Sequence, residues 1–383
     1  MRELALVFLK LGTIAVGGPA AHIAMMRHEF VERRAWLSEQ EFLDLIGATN
    51  LIPGPNSTEM AIHIGHRRAG WPGLFVAGTC FIVPAALIVF VLAVAYVRFG
   101  ALPQTQALFY GVNPVVLAIV GVALWRLAHS AIRAAWHGVV AAVAIGSLIA
   151  GVNELVVLGM CGLLGAVVSA WRSGPDALVG AASFGLLRWR RGNVSDAWGG
   201  AGAVAAGLAT SVTLGRLALV FFKAGALLFG SGYVLAAFLR ADLVERLGWL
   251  TERQLIDAIA VGQVTPGPVF TTATFVGYLL AGPAGAAVAT AAIFLPAFVY
   301  VAISGPLVPR VRRSPVAAGV LDGVNVASLA LMGVVWTQLG RSAVTDVPTA
   351  ILAVAGVFAI VVWRLSPAWL VAAGALVGLA SMR

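Results

Sequence analysis

Charged residues are scarce in this chain: Asp, Glu, Lys and Arg make up 11% of its 383 residues, against about 25% in soluble proteins. Together with a hydrophobic content of 60% and a mean hydropathy of +0.95, this scarcity excludes a soluble globular protein. Stretches such as residues 74–97 contain no charge at all, and a membrane-spanning helix needs about 20 apolar residues. The sequence therefore predicts an all-α polytopic membrane protein.

Cysteine is also scarce, and the two cysteines, Cys80 and Cys161, both lie in apolar stretches. This excludes a disulfide framework and a cysteine-rich metal cluster. His63 and His66 are three residues apart but have no third ligand nearby in sequence, so we predict no metal site. The sequence lacks flavin, nucleotide, haem and iron–sulfur motifs, so we expect no cofactor and no enzyme. The net charge of +9 is typical of arginine-rich cytoplasmic loops and does not indicate a nucleic-acid partner.

The chain is a duplication of one unit. LALVFLKLG at residues 4–12 returns as LALVFFKAG at residues 217–225, an offset of 213. The same offset continues to two identical motifs, Pro53-Gly54-Pro55 and Pro266-Gly267-Pro268. Charged, tryptophan and proline positions match together, which chance similarity between apolar helices would not preserve.

We predict a first repeat at residues 1–171, a basic and Gly/Ala-rich linker at 172–212, and a second repeat at 213–383. The loop after the first broken segment carries Arg67 and Arg68, whereas its counterpart is uncharged, and the next pair of loops reverses this bias. Because basic loops stay in the cytoplasm, equivalent loops lie on opposite sides and the repeats are inverted, as in many secondary transporters. The chain has ten membrane segments if the broken segments are re-entrant, and thirteen if they cross.

Each repeat interrupts a membrane helix with its Pro-Gly-Pro motif. Proline removes a helix N–H group, and broken backbone persists in a membrane only where it is buried in protein or lines a wet cavity. A helix that begins after each motif directs free N–H groups and a positive dipole end into the gap, which favours an anion. A plain structural kink is the alternative. Further donors expected at this site are Asn56, Ser57, Thr58, Thr271 and Thr272.

Two lysines, Lys10 and Lys223, lie near the middle of the first helix of each repeat, which we predict at about residues 4–26 in the first copy. A lysine at the bilayer centre costs about 2.5–3.5 kcal/mol, and such residues usually mark an ion path. We predict that both bind the anion, with Lys10 snorkelling to the headgroups as the alternative. The glycine-rich runs that follow add Gly17, Gly18 and Gly230 to the predicted site.

Three acidic residues are candidates for coupling to protons. Asp44 and Asp257 each precede a Pro-Gly-Pro motif by 9 residues, and they are either proton carriers, partners of the two lysines, or interfacial residues. Glu59 follows the first motif, and its counterpart is Thr272. An acid beside an anion site must be protonated or paired, so Glu59 suits proton coupling.

Four stretches together resemble the long-chain, two-domain form of the chromate ion transporter family: FLKLGTIAVGGPAAHIAMM, ERRAWLSEQEFLDLI, NLIPGPNSTEMAIHIG and GQVTPGPVF. The resemblance covers essentially the whole chain. It implies a multi-pass protein of a bacterial or archaeal inner membrane that exports chromate and confers resistance to it, with sulfate as the isosteric anion. It attaches function to the Lys10 helix, the Gly17-Gly18 run and Pro53-Gly54-Pro55, with their second-copy equivalents.

The sequence thus predicts a secondary transporter that moves a tetrahedral oxyanion across the bilayer by alternating access. Its expected partners are chromate or sulfate, protons and lipid, with a homodimer as the expected assembly. A transporter of sulfate or another oxyanion, and an anion channel, remain alternatives. A membrane enzyme such as a chromate reductase would need a cofactor motif that the sequence lacks.

Overall fold

In a computed structural model, the residues described are 1–15, 18–132, 134–173, 212–229 and 234–381, and all regular structure among them is helical. The first repeat contains α1 (Arg2–Ile14), α2 (Gly18–Arg27), α3 (Glu39–Thr49), α4 (Asn56–Phe99), α5 (Pro103–Ala131), α6 (Ala135–Ile149) and α7 (Glu154–Ser173). The second contains α8 (Leu214–Leu227), α9 (Leu235–Leu239), α10 (Glu252–Val264), α11 (Thr272–Arg313), α12 (Pro315–Ala343), α13 (Val347–Val361) and α14 (Pro367–Ala380). Nearly all of the predicted linker, residues 172–212, lies outside the described residues.

The outer surface is that of a membrane protein. Helices α4, α5, α7, α11 and α12 are long and apolar enough to cross a bilayer, and α6, α13 and α14 are shorter apolar helices. Large apolar side chains point outward, including Val91 at 63% exposure, Ile149 at 75% and Val354 at 70%. Such surface is stable only against lipid. The predicted all-α polytopic membrane protein is confirmed.

The first helix differs from the single helix predicted at residues 4–26. Helix α1 ends at Ile14, Gly18 takes a left-handed φ of 76°, and α2 folds back beside α1. Glu3 forms an ion pair with Arg34, and the ring of Phe8 lies 5.2 Å from that of Phe30. Helices α1 and α2 therefore form a hairpin that enters and leaves at the same face.

The Pro-Gly-Pro segment of the first repeat is a second hairpin. Residues 56–68 of α4 return beside α3, and Arg67 forms an ion pair with Glu41. Hydrogen bonds from Ser38 and the charge of Arg67 lower the pKa of Glu41. Ala69 and Gly70 are non-helical, so α4 is two helices joined by a sharp turn. The segment therefore folds back on itself, and the helix of residues 71–99 continues from its base.

The second repeat repeats this construction. Ala281 and Gly282 have φ values of −147° and 62°, against −145° and 62° at the turn in α4. Arg216, at the start of α8, lies 5.6 Å from the ring of Trp249, so the first hairpin of this repeat closes as well. Two matched hairpins per repeat follow from the duplicated sequence.

The two repeats complete each other's broken backbone. The N–H of Gly54 donates to the carbonyl of Leu228 at 2.8 Å, and the N–H of Gly267 donates to the carbonyl of Ala15 at 2.8 Å. These are the same hydrogen bond made twice, because Gly267 and Leu228 lie 213 residues after Gly54 and Ala15. The hairpin tips of one repeat therefore meet those of the other in an arrangement with approximate two-fold symmetry.

Glycine contacts tie the remaining helices together across the repeats. A Cβ on Gly111 of α5 would overlap the carbonyl oxygen of Gly374 in α14, and a Cβ on Gly323 of α12 would overlap that of Cys161 in α7. Small residues allow such close approach between membrane helices. Each repeat thus packs its last helix against the other repeat.

The hairpin arrangement predicts which residues share a side of the membrane. In a background with Cys80 and Cys161 replaced by Ala, we expect Gln40→Cys and Arg68→Cys to react with an impermeant maleimide from the same side. Arg98→Cys is expected to react only from the other side, since the intervening helix is about 43 Å long at 1.5 Å per residue. Labelling of intact cells and inverted vesicles measures this, and opposite accessibility of positions 40 and 68 would contradict the hairpin.

Candidate functional site

A cavity of about 1160 Å³ lies between the two repeats. The tip of the second hairpin of the first repeat, residues 49–52 and Asn56, forms part of its wall. Pro19 and Ile23 of α2 and Phe229 of the second repeat also line it, so the tips of several interrupted helices meet there. Helices α5 and α12 supply much of the remaining wall.

Among the described residues, four ionisable side chains line the cavity: Arg126, His137, Asp322 and Arg364. His137 Nε2 lies 4.0 Å from Asp322 Oδ2. Arg126 and Arg364 are both exposed. With two guanidinium groups and one carboxylate, this wall carries a net positive charge, which raises the local concentration of anions.

Uncharged polar groups line the wall nearer the hairpin tip. Asn56 Nδ2 donates to Asn50 Oδ1 at 2.8 Å across the Pro-Gly-Pro loop. Thr49 contributes from the same hairpin, and Asn325 and Ser328 contribute from α12. Amide and hydroxyl groups hydrogen-bond an oxyanion without adding charge, so this part of the cavity fits a hydrated or partly dehydrated anion.

The Pro-Gly-Pro loop of the first repeat lies directly behind this wall. Gly54 has a φ of 138°, which only glycine adopts readily, and both Gly54 and Pro55 are buried, whereas Pro53 is half-buried. Ser57 and Thr58 are buried in the first turn of α4, and Thr58 Oγ1 has no hydrogen-bond partner among the described residues. Of the predicted helix start, only Asn56 lines the cavity.

The second Pro-Gly-Pro loop does not share the cavity, contrary to the expectation of two helix starts facing one pocket. Gly267 packs against Ala85 so closely that a Cβ would overlap it. The expected hydroxyl donors are also engaged: Thr271 donates to the carbonyl of Pro268, and Thr272 donates to that of Val269, each at 2.8 Å. Pro266, Gly267, Pro268, Thr271 and Thr272 are absent from the cavity wall.

The two lysines have different surroundings from those predicted. Lys223 Nζ donates to both carboxylate oxygens of Asp242 at 2.9 Å, and Asp242 is 4% exposed. Asp242 also pairs with Arg246 at 3.0 Å, so Lys223 shares the acid of its own hairpin with a second cation, and Asp257 is not its partner. Lys10 is exposed on α1 and does not line the cavity. Gly18 is buried at the start of α2, while Gly17 and Gly230 lie outside the described residues.

Two of the three predicted coupling acids are deeply buried. Glu59 is fully buried, neither of its carboxylate oxygens has a hydrogen-bond partner among the described residues, and it lies directly against Gly54. Asp257 is 2% exposed and accepts hydrogen bonds from Tyr96 at 2.7 Å and Asn113 at 2.9 Å. Asp44, its counterpart, is exposed and accepts from Gln40 at 3.3 Å.

Sequence reasoning missed the arginines of the cavity. Arg126 reads as an ordinary loop charge, because it stands near the end of a predicted span. One signal was available: Arg126 aligns with Gln338 in the second repeat, so this charge belongs to one copy only. Among the described residues, no group of three His, Cys, Asp or Glu side chains is placed to hold a metal ion.

Comparison with known proteins places the chain in a family. The profile of the chromate transporter family matches residues 2–166 and 215–379, once in each repeat. The chromate transport protein of Cupriavidus metallidurans is 32% identical over 387 residues, which cover 99% of this chain and 92% of that protein. The chromate transport protein of Pseudomonas aeruginosa is 32% identical over 89% of this chain and 82% of its own length.

An uncharacterized transporter of Methanocaldococcus jannaschii is also similar, with 26% identity over 85% of this chain and 81% of that protein. No solved structure matches the chain. The family profile covers most of both repeats, and the bacterial relatives match over nearly the full length. The chain is therefore a member of the chromate transporter family.

Proposed function

We propose that the protein exports chromate across the inner membrane by alternating access around the cavity between its repeats. The observation that carries this proposal is a positively charged cavity that ends at the broken hairpin of the first repeat. The full-length relatives are named chromate transport proteins, and broken helices at a repeat interface are the usual binding sites of secondary transporters.

Inversion of the repeats is part of the proposal. The Gly54 and Gly267 hydrogen bonds support a two-fold relation. Phe75, near the start of the helix at residues 71–99, stacks 5.9 Å from Phe298, which lies well along the equivalent helix of α11. Under two-fold symmetry this contact sets the two spanning helices antiparallel, as inverted repeats require.

The cavity opens toward the cytoplasm in this proposal. Its charged wall lies at the end of α5 and the beginnings of α6, α12 and α14. The hairpin bases of the first repeat share that face, where Arg67 and Arg68 also lie. Basic residues concentrate on the cytoplasmic side, so a cytoplasmic anion enters the cavity directly. The membrane potential then assists export by about 2.3 kcal/mol per charge per 100 mV.

The two copies of one aspartate support alternating access. Asp257 is sealed by Asn113 and Tyr96 of the first repeat, whereas Asp44 is exposed and Asn325, the counterpart of Asn113, lines the open cavity. In the opposite state the relation reverses, with Asp44 closing on Asn325 and Asp257 released. The closed side would then be the cytoplasmic one.

Glu59 is the proposed proton carrier. Its carboxyl group lies against the first Pro-Gly-Pro loop, next to the hairpin tip that lines the cavity. A buried carboxylate without donors is costly, so the group binds a proton readily and releases it when the hairpin moves. Proton entry would then accompany chromate exit.

Transport itself is tested with inverted membrane vesicles from cells that produce the protein. We expect radioactive chromate to accumulate inside these vesicles when the lumen is positive, because this orientation reproduces export. Vesicles without the protein are the control, and competition by sulfate measures selectivity. Uptake found only in right-side-out vesicles, or of sulfate alone, would replace this proposal with an importer or a sulfate transporter. Flux far above transporter turnover would indicate a channel.

Alternating access is tested by cross-linking the two aspartate contacts. In the cysteine-free background, we expect Asn113→Cys with Asp257→Cys to form a disulfide on copper-catalysed oxidation, since the native side chains are in contact. The bond is expected to abolish chromate uptake until it is reduced. Asp44→Cys with Asn325→Cys is expected to cross-link as well, in the opposite state. Each single cysteine is the control, and full transport by the oxidised first pair would refute the switch.

Proton coupling is tested with Glu59→Gln, which keeps the shape of the side chain and removes its titration. Wild-type uptake into inverted vesicles is expected to rise when the lumen is acidic, because protons then leave as chromate enters. The variant is expected to retain potential-driven uptake and to lose this acceleration. Thr272→Gln, at the equivalent position of the second repeat, is the matched control. Equal acceleration in Glu59→Gln would show that protons are carried elsewhere.

A further inference from the structure

The two arginines of the cavity are each unique to one repeat. Arg126 on α5 aligns with Gln338 on α12. Arg364 aligns with Gly151, because each stands two residues before the residue that precedes the last helix of its repeat, Ser366 or Asn153. The repeats share their backbone and many charged positions, whereas each of these two charges is present in one copy only. Both arginines line the same cavity.

Arg364 also has an unusual backbone. Its φ is 53°, a left-handed value, whereas Gly151 has a φ of 79° at the same place in the first repeat. Left-handed backbone is ordinary for glycine and strained for other residues. Strain of this kind persists where the surroundings fix it and gathers at functional sites. Arg364 therefore occupies a turn position whose backbone conformation favours glycine.

The charges around the two arginines leave them available to a ligand. Neither guanidinium forms an ion pair with a carboxylate of the described residues. Asp322 lines the same cavity, where its carboxylate lies 4.0 Å from the ring of His137. A dianion that entered here would meet two cations against one carboxylate.

We propose that Arg126 and Arg364 are the substrate-binding cations of this transporter, in place of Lys10 and Lys223, and that they hold a tetrahedral dianion at the cavity wall. A guanidinium group presents paired N–H donors that match two oxygens of an oxyanion. Asn50, Asn325 and Ser328 then receive the anion nearer the hairpin tip. The inference rests on the proposed function, because it names the side chains that recognise its substrate.

The test measures binding of chromate and of sulfate to the purified full-length protein by titration calorimetry, alongside thermal unfolding. Each arginine is exchanged for the residue that the other repeat has at that place, as Arg126→Gln and Arg364→Gly. We expect each to raise Kd about tenfold or more, since charge-assisted contacts are lost. Arg364→Gly is expected to keep or raise the unfolding temperature, because it removes the left-handed strain.

Ala35→Gly is the matched control for the backbone. Ala35 has a φ of 49°, and its counterpart Gly248 has a φ of 60°, so this exchange relieves the same strain away from the cavity. It is expected to leave Kd unchanged, as is Arg98→Gln, which removes a basic residue outside the cavity wall. Arg364→Lys is expected to lose less affinity than Arg364→Gly.

The outcomes separate the inference from the transport proposal. If both arginine exchanges weaken anion binding but vesicles with the wild-type protein do not move chromate, the binding site stands and the transport proposal is overturned. Unchanged Kd in Arg126→Gln and Arg364→Gly, with transport intact in wild type, would overturn the inference alone. A matching loss of affinity in Arg98→Gln would reduce the effect to general surface charge and overturn it as well.

Discussion

Backbone hydrogen bonding inside a membrane is the constraint on which this structure depends. Each interrupted hairpin leaves peptide groups that the bilayer cannot satisfy, and every such group costs several kcal/mol in hydrocarbon. The N–H of Gly54, in the first repeat, donates a hydrogen bond to the first hairpin of the second repeat. The N–H of Gly267, in the second repeat, donates one to the first hairpin of the first repeat. Each of these hydrogen bonds joins the two repeats, so each repeat supplies a backbone partner to the interruption of the other. The positive φ at both glycines, 138° and 88°, explains why the motif keeps glycine between its prolines.

The shared backbone carries unequal side chains, and the proposed mechanism depends on the difference between them. Glu59 of the first repeat aligns with Thr272 of the second, and the exposed Asp44 aligns with the buried Asp257. A two-fold scaffold offers two arrangements of similar energy that are related by exchange of the repeats, because every contact of one has an equivalent in the other. Side-chain differences of a few kcal/mol then decide which arrangement is populated. The open cavity beside the first hairpin and the packed loop of the second are one of these arrangements.

The sequence was enough to predict the membrane class and the two Pro-Gly-Pro interruptions, since apolar composition and matched motifs are properties of the chain itself. It did not reveal the first hairpin, because a helix that crosses and one that folds back at its middle have the same apolar pattern. The ion pairs that decide between them join residues 31 positions apart, Glu3 with Arg34, and 26 apart, Glu41 with Arg67. The sequence left Asp257 open as one possible partner of Lys223 and did not point to Asp242, because only the packing of the second repeat brings Asp242 to the lysine. The predicted homodimer stays a prediction.

The closeness of Glu59 to the cavity restricts how the anion and the proton can be coupled. The acid lies against Gly54, and the cavity wall begins one residue beyond Pro55 at Asn56, so a bound dianion and an ionised Glu59 would share a weakly screened region. Repulsion between like charges is strong there and weak in water. Repulsion alone would therefore keep the proton on Glu59 while the anion is bound, and would move both in the same direction. Exchange in opposite directions, as proposed, requires that Glu59 lose its proton to the cytoplasm before chromate binds, so the movement of the hairpin, and not the arrival of the anion, must set the order of the two steps.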